Sequence, residues 1–241
     1  MPEGTRLNKF LANSGICARR KADELIRQGY VKVNGVVVTE MGHRVLEGDA
    51  ITYKDKPVEG SNKIYILLNK PKDTISTTGD PRNRRTVMDM IESVEGRLYP
   101  VGRLDRNTTG LILLTNDGEL AQSLSHPSRE VKKIYEAQLD KPLSPGDEEL
   151  LRTGLVLEEG TAVIDDLGFP APTDRRIVGI ELHIGWNRII RRLFEKLGYK
   201  TMRLDRVTYA GLTKKNLPRG KWRHLSEKEV HFLKHSGGKG G

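Results

Sequence analysis

The run LILLT, residues 111–115, stands between a small-residue turn, Asn107-Thr108-Thr109-Gly110, and a tight one, Asn116-Asp117-Gly118. A short apolar run closed at both ends by turn formers reads as a buried strand. Strand patterns recur at 64–71 (IYILLNKP), 131–140 (VKKIYEAQLD) and 178–184 (VGIELHI), and helical spacing marks 118–125, 145–154 and 187–198. These segments do not alternate regularly enough for a parallel βαβ array. The expected fold class is therefore α+β, with a mostly antiparallel sheet in the larger region.

The first sixty residues read as a separate small module. Leu7, Phe10 and Leu11 fall at helical spacing, Gly15 breaks the pattern, and a second helix is predicted from Ala18 to Gln28 with Ala22, Leu25 and Ile26 inward. Asn34-Gly35 then marks a two-residue hairpin turn between valine-rich strands. From about Asp49 to Asn62 the chain turns polar, which suggests a linker. The predicted division is 1–60 for module and linker, 61–236 for the larger domain and 237–241 for a disordered tail.

Charge narrows the partners. Lys and Arg number 41 against 32 Asp and Glu, a formal net charge of +9 with few aromatics and no long apolar stretch. That balance favours a polyanion, nucleic acid rather than membrane. The opening MPEGTRLNKF lacks a signal-peptide core, and one cysteine, Cys17, excludes an internal disulfide framework. A cytoplasmic, monomeric protein is the expectation. Lys9 sits on the first helix, and Arg19, Arg20 and Lys21 crowd the first turn of the second, where the helix dipole disfavours cations. An RNA-facing surface would account for them.

Asp105 stands between Arg103 and Arg106 in a loop at the mouth of the LILLT strand. Flanking positive charge favours the ionised form, and a loop carboxylate held by a rigid strand suits catalysis. The same four letters, RLDR, return at Arg203–Arg206, followed by VTYAGLTKKNLPRGKWRHL, which reads as a hairpin-like stretch with more exposed charge, so the repeat is taken as coincidental. In 187–198, Ile190, Leu193, Phe194 and Leu197 share one face while Arg188, Arg191 and Arg192 occupy the other. Arg82, Arg84 and Arg85 form a further basic loop. There is no Gly-rich phosphate loop, no HExxH and no GxSxG, so nucleotide, zinc and serine hydrolysis all lack their usual signatures.

RLNKFLANSGICARRKADELIRQGYVKVNG closely resembles the S4 RNA-binding module, departing at Cys17, where that family usually has a serine to cap the second helix. GRLDRNTTGLILLTNDGEL resembles the catalytic motif of the pseudouridine synthases, in the ribosomal branch that carries an S4 module. NKP (69–71), YPVGRLD (99–105), HPS with KKIY (126–135) and LPRGKWRHL extend that likeness over most of the chain. It implies a cofactor-free isomerase that breaks the uracil N1–ribose bond in structured rRNA and rejoins the base through C5. By the same resemblance Asp105 is the nucleophile, Tyr135 stacks on the flipped uracil, and Arg191 pairs with Asp105. Arg103, Arg106, Arg188 and Arg192 then join Lys9, Arg19, Arg20 and Lys21 in contacting RNA.

The helix motif of the family usually reads close to EGRNRQIRRM; here Ile184, Trp186 and Ile189 replace a Glu, a basic residue and a Gln. YPVGRLD and HPS look most like large-subunit enzymes, with a small-subunit target as the alternative. The rival from another class is a non-catalytic RNA-binding or ribosome-assembly factor on a lapsed synthase scaffold. A metal-dependent nuclease would need clustered carboxylates, and Asp105 stands among arginines.

Overall fold

The computed structural model describes residues 4–235; the tail predicted at 237–241 lies outside the described residues. The chain divides into two compact units, one built on residues up to Ile64 and one on Tyr65 onward.

In the first unit, β1 (Thr5–Arg6) leads directly into α1 (Leu7–Asn13), and α2 (Arg19–Arg27) follows. Next come β2 (Val31–Val33), β3 (Val36–Val37), β4 (Arg44–Val45), β5 (Ile51–Tyr53) and β6 (Lys56–Pro57). Leu7, Leu11, Ala22 and Ile26 from the helices pack on Val31 and Val33. Asn34 and Gly35 take φ of 51° and 81°, and Val33 faces Val36, as a two-residue hairpin turn of type I′ requires. The polar stretch expected to be a linker behaves differently. Its residues 51–57 form a hairpin that completes the antiparallel order β3-β2-β5-β6. Each of these strands has only two or three residues, too few for alternation to show in the sequence.

Cys17 is not the cap of α2. Ala18 takes the N-cap without a side-chain hydrogen bond, and Cys17, one position further out, packs against the apolar core of the unit.

The second unit is organised by a nine-stranded mixed sheet. Its strands are β7 (Tyr65–Lys70), β8 (Tyr99–Val101), β9 (Thr109–Thr115), β10 (Lys133–Leu139), β13 (Asp166–Gly168), β14 (Ile177–Leu182), β15 (Thr201–Tyr209), β16 (Leu212–Thr213) and β17 (Trp222–His224); a separate hairpin comprises β11 (Leu155–Leu157) and β12 (Gly160–Ala162). The main path runs β13-β14-β10-β15-β9-β7-β17, with every neighbour antiparallel except β15 and β9. β9 is buried from Gly110 to Thr115, which is why LILLT shows no alternation. One apolar cluster joins β10, β14 and α5 (Ile189–Lys196) with α4 (Pro145–Thr153); another joins β9 with α3 (Gly118–Ser125) and α6 (Glu227–His235).

Gly110 makes the parallel pairing possible. It adopts φ +108°, and a Cβ there would lie 2.2 Å from the carbonyl oxygen of Arg206 and 2.5 Å from its amide nitrogen. Only a residue without a side chain lets the two backbones approach this closely.

Candidate active site

Asp105 lies in the loop between β8 and β9, and neighbouring backbone fixes that loop. Ser76 Oγ donates to the carbonyl of Leu104 at 3.0 Å and accepts from its amide at 3.1 Å. Lys70, fully buried at the end of β7, donates through Nζ to the carbonyls of Thr74 (2.7 Å), Pro71 (3.2 Å) and Arg106 (3.3 Å). Burial brings the Lys70 ammonium down to about 8, and the charge of Asp105 opposes that fall. Ser76 at Leu104 and Lys70 at Arg106 thus anchor the loop on the two sides of the carboxylate. The sequence places Lys70 in NKP and offers no further sign of burial.

The loop opens on a cleft of about 240 Å³ lined by Asp105, Tyr135, Arg188, Ile189, Arg206 and Trp186 among others. Tyr135 comes from β10 and stands opposite Arg206 of β15 in the strand register. Arg206 is 3% exposed; its Nε donates to the Leu111 carbonyl at 2.6 Å, and its guanidinium carbon sits 4.5 Å from the Tyr209 ring centre. Burial pushes the Tyr209 hydroxyl up to about 12, the positive Arg206 opposing. Lys133, also in the wall, donates to the His183 carbonyl at 2.5 Å, and burial, aided by the charge of Arg206, brings it to about 8.

Several expectations need correction. The stretch after the second RLDR does form a hairpin, β15 with β16, but the RLDR itself lies within β15, where Asp205 is far from free: it accepts from Thr109 Oγ1 and Arg219 at 2.6 Å each and pairs with Lys214. Burial raises the Asp205 carboxyl, but the hydrogen bonds from Arg219, Lys214 and Thr109 outweigh it and hold the group at about 2. Charges at neighbouring positions of a strand suggest solvent in a sequence; here Arg203 is exposed, while Asp205 and Arg206 have partners contributed from elsewhere.

The arginine within ion-pair distance of Asp105 is Arg188, at 3.8 Å, not Arg191. Arg188 occupies the N-cap of α5 with φ 48°, while Arg191, one turn on, is half-buried and donates to the Thr201 carbonyl at 2.9 Å. Its charge is still felt by Asp105, whose own raises the Arg191 value against a larger lowering by burial and a further one by Arg188. Arg192 makes a two-pronged bond to Glu159 at 2.7 and 2.9 Å. Arg106 turns to Asp73 at 2.5 Å, and Arg84 is held by Asp80 at 2.6 Å. Arg103 is exposed on the cleft wall. In the first unit Arg19, Arg20 and Lys21 are exposed, Lys21 pairing with Glu24 at 2.6 Å, and Lys9 is half-buried.

Asp105 is the only carboxylate among the described residues lining the cleft, where it meets Arg103, Lys133, Arg188 and Arg206. Glycoside hydrolysis ordinarily places two carboxylates about the scissile bond, so this is not the layout of a glycosidase. A single carboxylate in a basic cleft, on a chain with an excess of positive charge, defines an enzyme that works on one residue of a nucleic acid.

The RNA pseudouridylate synthase family model matches residues 64–196, and the S4 domain model matches residues 5–51. A large-subunit ribosomal pseudouridine synthase B of Bacillus subtilis is 42% identical over 235 residues, 95% of each chain. One of the same name from Vibrio cholerae is 36% identical, spanning 95% of this chain and 74% of its own. A crystal structure of a pseudouridylate synthase superposes with a TM-score of 0.67 at 27% identity, covering 95% of this chain and all of the other. The chain belongs to the RNA pseudouridine synthase family and carries an N-terminal S4 domain.

Proposed function

We propose that this enzyme converts a uridine of large-subunit ribosomal RNA to pseudouridine, with Asp105 as the group that acts on the reacting nucleoside. The observation that carries the reading is the cleft itself: one carboxylate, supplied by a loop anchored through Lys70 and Ser76, faces Tyr135 across a basic wall. The choice of large-subunit RNA rests on the names of the Bacillus and Vibrio relatives.

A uridine stacked in a helix is out of reach of such a cleft, so the base must swing out, at a cost of a few kcal/mol that phosphate contacts offset. Arg103 on the cleft rim and the exposed Arg19 and Arg20 of the S4 domain are suited to those contacts. Inside, the Tyr135 ring supplies a stacking face, and Arg188 keeps positive charge beside the Asp105 carboxylate. The bond from N1 to C1′ breaks, the base turns, and C5 bonds to C1′; N1 gains a proton and C5 loses one. Asp105 serves as nucleophile in this exchange.

The test is tritium release from transcripts of both ribosomal RNAs labelled at uracil C5. Release from the large-subunit RNA by wild type, and none by Asp105→Asn, is the expected result. Release from small-subunit RNA alone would move the target. Salt-sensitive binding with no release from either RNA would favour a non-catalytic RNA-binding role.

A further inference from the structure

The Asp105 cleft does not end at Trp186. A second compartment of about 400 Å³ continues past it, walled by His126, Pro127, Glu130 and His183, and the two spaces share Ile184, Trp186 and Lys133. The residues that depart from the family's helix motif are therefore not scattered: Ile184 and Trp186 form the partition, and Ile189 lines the cleft side.

Trp186 is half-buried and packs on the β10–β14–α5 core. A Cβ at Gly160 would meet its Cη2 at 3.7 Å, ordinary van der Waals contact, so the indole edge lies close against β12. The ring is thus seated from behind while part of its surface faces the two spaces. The imidazoles opposite are also held. His126 Nδ1 bonds Ser128 Oγ at 2.7 Å, and His183 Nδ1 bonds the Asp165 carboxylate at 2.7 and 2.9 Å. Both rings therefore keep Nε2 for a ligand.

A planar apolar platform, apolar walls and two imidazole edges suit a nucleobase. Of the charged groups in the wall, Lys133 is turned to the His183 carbonyl and Glu130 disfavours a phosphate. Because the two spaces share Lys133, Ile184 and Trp186 in their walls, they lie side by side, close enough for one strand to place the target uridine beside Asp105 and its neighbour beyond the partition.

Resting on the isomerase reading above, we propose that the second compartment is a stacking subsite for the nucleobase adjacent to the target uridine in the same RNA strand, with Trp186 as its platform. Loss of an aromatic stacking platform should weaken RNA affinity roughly tenfold, equivalent to about 1.4 kcal/mol.

The experiment uses the full chain and the shortest hairpin from whichever transcript releases tritium, with 2-aminopurine placed at either flank of the target or three nucleotides away. Binding to Asp105→Asn protein quenches the probe at one flank and leaves the distant probe unchanged. In the otherwise wild-type enzyme, Trp186→Ala raises KM about tenfold with little change in kcat, and Trp186→Phe restores it. In the Asp105→Asn background, Trp186→Ala removes the quenching. Tritium release with no flanking quench, or a quench that survives Trp186→Ala, would overturn the subsite alone. Absence of release by wild type from every transcript would overturn the isomerase reading and the subsite with it.

Discussion

Asp205 and Thr109 face each other across the parallel pairing of β15 with β9, and the Thr109 hydroxyl donates to the Asp205 carboxylate at 2.6 Å. With Lys214 and Arg219 on the same group, this carboxylate fastens the C-terminal part of the chain to the strand that begins just after the Asp105 loop. A folded value near 2 against an ordinary 3.8 makes ionised Asp205 stabilising by about 2 kcal/mol above pH 4. That contribution fades as pH falls through about 2. Asp205→Asn should therefore destabilise the protein by about 3 kcal/mol at pH 7, since two cations lose their partner. Urea unfolding at pH 7 and at low pH should show the gap between variant and wild type closing on acidification.

Gly110→Ala forces a methyl group against the Arg206 backbone at 2.2 Å and strains a φ of +108°. The expected loss is at least about 3 kcal/mol, or a melting point lower by about 6 °C or more. Tritium release should fall even well below the new melting point, because the pairing that sets Arg206 beside the Asp105 loop is wedged apart.

Lys70 should give activity an alkaline limit. Above pH 8 the buried ammonium loses its charge and one of the protons that tie Pro71, Thr74 and Arg106, which loosens the Asp105 loop. The loss is not unfolding. With a folded value near 8 against 10.5 when unfolded, the unfolded chain binds more protons between those limits, so this group makes stability rise across the window. The kcat/KM profile should fall with a midpoint near 8, and Lys70→Met should be slower by one to two orders of magnitude and lack that limb. A limb that persists in Lys70→Met would belong to Lys133, which shares the same value.

Arg188 and Arg191 should separate by phenotype. Arg188 is an exposed residue 3.8 Å from Asp105, and its replacement by Gln should lower kcat about tenfold with no change in melting temperature. Arg191→Gln removes the bond to the Thr201 carbonyl from a half-buried site, and should lower the melting point by about 4 °C as well as the rate. Equal melting temperatures for the two variants would contradict this division.

What the sequence disclosed follows from the range of each interaction. The Asn34-Gly35 turn, the buried LILLT strand, the apolar face of α5, and helices at 118–125 and 145–154 are set by neighbours within a few residues, and the structure has them all. The loop position of Asp105 and the strand position of Tyr135 were legible for the same reason. The anchoring by Lys70 and Ser76, the burial of Arg206 and the ion-pair geometry of Arg188 were not, because each depends on a partner roughly thirty to one hundred residues away. The β5–β6 hairpin of the S4 domain escaped because its hydrogen bonds, not an apolar rhythm, define it.

The order in which the strands of the second unit pair has a bearing on how the enzyme is made. β9 lies inside the sheet, yet its neighbour β15 is synthesised some ninety residues later, and β7 receives its outer neighbour β17 only about a hundred and fifty residues after itself. Contacts of such long sequence separation close late in folding. While the chain is still emerging, Asp105 exists without Arg206, Tyr135 lacks the strand opposite it, and the cleft has no far wall. An enzyme that modifies ribosomal RNA would thus emerge from a ribosome in a form unable to modify it, becoming competent only once β15 and β17 have followed.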